Sequence, residues 1–159
     1  MVLVRILVDG YSLLHNWLEL APGRPRHSQA ARDELIRRLT RYHDATGTPV
    51  SIFFDGAGKF RASAAESTPE VEILYSRAGQ TADQMIERAA HRLRPYGDVL
   101  VVTDDRAEQD TVIALGGMTA SCENFIRMVE ATMADLQHNI KHHNRRERNR
   151  FKRPPICDK

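Results

Sequence analysis

The sequence predicts an α/β fold of three layers, with a mostly parallel central sheet covered by helices on both faces. Two patterns predict it. Short β-branched apolar runs alternate with amphipathic helical stretches, and three of those runs close on aspartate. The chain has 159 residues, 42% hydrophobic and 28% charged, which is the size and balance of one globular domain.

In order along the chain, Val2 to Val8 is a buried strand that ends at the Asp9-Gly10 turn. Ser28 caps a helix running to about Thr46, with Ala31, Leu35, Leu39 and Tyr42 on one face and Gly47 as its stop. Val50 to Phe54 is a second buried strand, closing on Asp55, followed by a small-residue loop that carries Lys59 and Arg61. Val71 to Tyr75 is a third. Thr81 and Gln84 have the spacing of a capping box and open a helix that stops at Pro95. Val99 to Val102 is a fourth strand, closing on Thr103-Asp104-Asp105. A helix from about Arg106 to Leu115 ends at Gly116-Gly117. Ser121 starts a long helix with Phe125, Val129, Met133, Leu136 and Ile140 on one side, and Met128 and Met133 fall at core-like positions. No apolar run is long enough to cross a bilayer, so no membrane is expected. Two cysteines build no disulfide framework, which makes reduced thiols in a cytoplasm the default.

The net charge of +2 conceals a division. Residues 141–159 carry eight Lys/Arg and two Asp/Glu, a net +6, against fifteen basic and nineteen acidic groups, −4, in residues 1–140. The chain thus reads as an acidic domain, 1–140, with a basic tail, 141–159, that either extends the last helix or lacks order. Arg145, Arg146 and Arg148 in that tail are candidate contacts for nucleic acid.

The carboxyl ends of parallel strands share one edge, where such folds bind ligands. Asp9, Asp55 and the pair Asp104/Asp105 therefore gather there, and Asp83, second in its helix, joins them if that helix enters from the same edge. Two like charges about 4 Å apart repel by roughly 4 kcal/mol at an effective dielectric near 20. Such a group must take up protons or bind a cation. Oxygen ligands without Cys or His select a hard ion, Mg²⁺ or Mn²⁺, which suits attack of water on a phosphodiester. For any one of these aspartates ordinary turn chemistry explains the residue equally well. Asp98 and Asp110 read as solvated. Glu87, one turn after Asp83, reads as a hydrogen-bonding support, and Lys59, Arg61 and Arg106 as phosphate contacts or plain surface cations. The chain lacks a Gly-Lys-Ser/Thr phosphate loop and a Gly-x-Gly-x-x-Gly turn, and Tyr11 stands where a dehalogenase-type phosphatase needs a second aspartate.

One ordered set of segments resembles a known family: Ile6 to Leu14, Phe53 to Gly56, Val71 to Tyr75, Thr81 to Glu87, and Val102 to Asp105 followed by Glu108-Gln109. The chain resembles the YacP-like members of the NYN domain group, nucleases of the PIN-like superfamily. The resemblance implies a PIN-like fold and a metal-dependent endoribonuclease, with Asp9, Asp55, Asp83 and Asp105 in the acidic positions. It further implies RNA as substrate and a ribosomal partner through mRNA cleavage. Asp104 remains an alternative to Asp105, and Ser12 stands where the family usually has asparagine. A non-catalytic RNA- or ribosome-binding module is the competing reading, and oligomeric state and the choice between RNA and DNA stay open.

Overall fold

The computed structural model describes residues 2–56 and 68–151. Strands β1 (Leu3–Asp9), β2 (Val50–Phe54), β3 (Val71–Tyr75), β4 (Asp98–Val102) and β5 (Met118–Ala120) form one sheet in the order β3-β2-β1-β4-β5. Every neighbouring pair is parallel. The order reverses beside β1, between β2 and β4, so the crevice at the carboxyl ends of β1 and β4 is the topological switch point.

Five α-helices cover the sheet: α1 (Gly10–Asn16), α2 (Gln29–Thr46), α3 (Ala82–Leu93), α4 (Arg106–Ala114) and α5 (Cys122–Phe151). Leu13, Leu35, Leu39, Phe125 and Val129 from α1, α2 and α5 pack with Ile6, Val8, Ile52 and Phe54 on one face. On the other face Ile86 and Ala90 of α3 and Val112 of α4 meet Leu7, Phe53 and Val101. A strand buried on both faces needs apolar side chains in both directions, which is why β1, β2 and β4 are apolar runs and not alternating ones.

Three features differ from the sequence reading. Asp9-Gly10 is not a turn but the start of α1, with Asp9 as its cap. A fifth strand, only three residues long, follows Gly116-Gly117 where no apolar run announced it. Met128 is 43% exposed, so it is not a core residue, whereas Met133 packs against the core's margin. The last helix is continuous through Phe151, so the basic residues from Lys141 to Arg150 ride on α5 as regular helix.

Gly10 makes the β1–α1 junction possible. A Cβ there would lie 2.4 Å from the ring of Phe54, which is fully buried and held by Tyr11 and Tyr75. Gly10→Ala should therefore lower unfolding free energy by roughly 1–3 kcal/mol, the usual cost of overpacking a core. Urea denaturation measures it; an unchanged midpoint would mean that the ring has room to shift.

Candidate active site

Each strand-end aspartate is fixed by a helix that begins at the same edge. Asp9 accepts from the Ser12 amide at 3.4 Å and the Ser12 hydroxyl at 2.9 Å. Asp55 accepts from the amide of Ala82, the first residue of α3, at 2.6 Å. Asp105 caps α4, accepting from the amides of Ala107 at 2.9 Å and Glu108 at 3.4 Å. Asp104 accepts from the Cys122 amide at 2.9 Å, the first of α5, and from the Asn16 side chain at 2.8 Å. These bonds satisfy amides that a helix start leaves without an internal partner, and they point the strand-end loops inward.

Within this ring three carboxylates converge. Asp9, Asp83 and Glu108 each bring an oxygen within 4.8 Å of the other two. Glu108 is only 2% exposed, and neither of its oxygens has a hydrogen-bond partner of good geometry. Burial pushes its pKa up to about 8; the Thr103 side chain works against this, while Asp83 and Asp9 add to it. Burial likewise raises Asp9 and Asp83, with repulsion from Asp83 and Asp55 adding at Asp9 and from Asp55 at Asp83. Asp105 adjoins Asp83 closely enough to raise it further. Among the described residues, no Lys or Arg pairs with Asp9, Asp83 or Glu108.

The residues singled out from sequence are therefore distributed as follows. Asp9 and Asp83 lie in the cluster, Asp105 borders it, and exposed Asp55 sits close enough to both to raise them. Asp104 spends both oxygens on α1 and α5. Ser12 supports Asp9 directly. Glu87 instead lines a groove of about 630 Å³ with Gln84, Arg88, Thr111 and Leu115. Arg106 is exposed at the first position of α4, and Arg145, Arg146 and Arg148 are exposed on α5. Lys59 and Arg61 lie outside the described residues. Asp98 pairs with Arg94 at 3.6 Å and Asp110 is exposed.

Glu108 is the residue that sequence reasoning missed as a site group. Its signal was helical register: Val112, one turn later, is buried, so Glu108 faces the core as well. A buried acid with no cation paired to it needs a proton or a cation, and three oxygens at this spacing fit a hard divalent ion.

Known proteins resemble this chain in sequence and in fold. The profile of the YacP-like NYN domain family matches residues 6–155. The YacP protein of Bacillus subtilis strain 168 is 27% identical over 137 residues, covering 86% of this chain and 81% of that protein. The crystal structure of Rae1 (YacP) from Bacillus subtilis superposes with a TM-score of 0.71 at 25% identity, over 94% of this chain and 85% of that one. Its tryptophan-to-leucine variant gives 0.75 at 26%, over 89% and 84%.

The raised acids set a pH dependence. Folded Glu108 releases its proton near pH 8 rather than near its ordinary 4.5. Between those values the folded chain holds more protons than the unfolded one, so stability falls as pH rises. The EDTA-treated protein should melt at lower temperature at about pH 8 than at about pH 5, and Glu108→Gln should narrow the gap. Equal melting temperatures for the native protein at both pH values would contradict the buried acid.

Proposed function

The chain belongs to the YacP-like NYN domain family, a nuclease family, and on that premise we propose that it is a Mg²⁺- or Mn²⁺-dependent endoribonuclease. The observation that carries this reading is the convergence of Asp9, Asp83 and buried Glu108 at the switch point of the sheet. When bound, a divalent cation supplies Lewis acidity for attack of water on the phosphodiester. Asp9, Asp83 and Glu108 would hold it, with Asp55 and Asp105 beside them. Ser12 fixes the Asp9 carboxylate by two hydrogen bonds, so its role is to orient a ligand. Glu108, sealed from solvent, keeps water from competing for the oxygens it offers. Asp83 stands in the first turn of α3, where the positive end of the helix dipole favours its ionised form.

RNA is the substrate this reading takes, with mRNA at the ribosome in the cytoplasm as its setting; exposed Arg106 would contact phosphate. An acidic pocket favours a nuclease over a simple binding module. Without a cation, clustered carboxylates repel the phosphates that such a module must attract.

Labelled RNA and DNA incubated with Mg²⁺, Mn²⁺ or EDTA test the proposal. RNA should be cut internally with either ion and left intact in EDTA. Asp9→Asn and Glu108→Gln should lose more than about a hundredfold in rate while remaining folded, beyond the roughly 10–100-fold typical of a ligand's supporting residue. RNA binding that ignores EDTA, with no products, would favour the binding module; undiminished cleavage by Asp9→Asn would remove the site from the reaction.

A further inference from the structure

The helix α5 begins at the acidic edge, its first amide bonded to Asp104, and then runs unbroken for 30 residues. Only its first part is packed: Cys122, Phe125 and Val129 are buried, whereas Leu136 is 41% and Ile140 51% exposed. The distal part, from Lys141 to Arg150, carries Lys141, Arg145, Arg146, Arg148 and Arg150 against a single acid, Glu147. At about 1.5 Å per residue, Arg145 stands roughly 35 Å along the helix from Cys122, several times the reach of its own side chain.

The charges are ordered as well as distant. Positions 141, 145 and 148 are four and three residues apart, so Lys141, Arg145 and Arg148 form one stripe along about 10 Å of helix. Helical periodicity sets that stripe well over 90° around the axis from the line of Phe125, Val129, Met133, Leu136 and Ile140 that leads out of the core. The stripe is thus clear of the packed face, and all three cations are exposed. None of the three pairs with an acid among the described residues.

We propose that the distal half of α5 is an RNA-binding arm, with Lys141, Arg145 and Arg148 gripping phosphates roughly 30–40 Å along the helix from its first turn beside Asp104. The proposal rests on the nuclease reading and adds a substrate class to it: RNAs long enough to touch both places. At roughly 3.4 Å per stacked nucleotide that separation takes about ten nucleotides, and about half as many when the strand is fully extended. A short RNA seated at the carboxylates does not reach the arm. Nucleic acid is favoured over an acidic protein because regularly spaced cations on a rigid helix match a regularly spaced phosphate chain.

The test compares unstructured RNAs of about four and about thirty nucleotides, cut in Mn²⁺ by the native protein and by the triple variant Lys141→Ala, Arg145→Ala, Arg148→Ala. Alanine preserves the helix, which circular dichroism verifies. For the long RNA the variant should raise KM about tenfold with kcat unchanged, and for the short RNA it should change neither. In EDTA, fluorescence anisotropy with the long RNA should show the same weakening. The slope of log affinity against log salt should become shallower by about 2, near 0.7 for each lost single-strand contact. An unchanged KM for the long RNA, or an equal loss for both lengths, would overturn the arm. If neither RNA is cut by the native protein, the nuclease reading fails and anisotropy alone decides the arm. Equal affinity of native and variant chains, or polyglutamate competing as well as RNA, would then refute it.

Discussion

Glu108 is buried with no hydrogen bond of good geometry to either oxygen, and Asp9 and Asp83 each bring an oxygen within 4.8 Å of it. That crowding of like charge governs the edge of the molecule. Left fully ionised and without a counter-ion, neighbouring carboxylates at about 4 Å cost roughly 4 kcal/mol per pair even at an effective dielectric near 20, a large part of an ordinary domain's stability. The fold meets the cost in two ways. The acids hold protons more tightly than usual. Helix starts also bring their positive ends to the same edge, with amides of α1, α3, α4 and α5 donating to Asp9, Asp55, Asp105 and Asp104.

Those capping bonds resolve a contest that the sequence leaves even. An aspartate at a strand end can serve a helix start, a site or both; here all four accept from helix-start amides, and Asp9 also joins the cluster. What completes the cluster around Asp9 does not come from a strand end. Asp83 and Glu108 project from helices α3 and α4, and only the fold's sharing of one edge brings them to Asp9. The doublet Asp104-Asp105 shows the same logic at closer range. Adjacent residues leaving a strand point in different directions, so one serves α5 and Asn16 while the other caps α4 beside Asp83.

The parallel sheet was legible because strands buried on both faces must be apolar throughout, and the capping box of α3 because its two hydrogen bonds need Thr81 and Gln84 at that spacing. The fifth strand was not, since Met118–Ala120 is too short for any periodicity and is defined by its pairing with β4. α1 was hidden by Asp-Gly, a turn dipeptide that here works as cap and first residue because Phe54 leaves no space for a side chain at Gly10. Glu108 was obscured by its chemistry: glutamate in a helix's first turn is ordinary, and its burial follows from how α4 lies on the sheet. The ordered motif did contain it, three residues after Asp105.

The separation of the two charged regions follows from the same electrostatics. Had Lys141, Arg145 and Arg148 stood beside Asp9 and Glu108, they would have paired with them and left the carboxylates neither short of a cation nor free to bind one. At roughly 35 Å along a straight helix, and with screening over about 10 Å at 0.1 M salt, each region keeps its own sign. On the proposed reading a polyanion would be drawn to one and repelled by the other, and a divalent ion among the carboxylates would offset much of that repulsion. Holding α5 rigid enforces this, because a flexible basic tail could fold back onto the acids. Its first turn is fastened at Asp104 and its early apolar face to the core, so the basic end is carried outward by the very edge it must not neutralise.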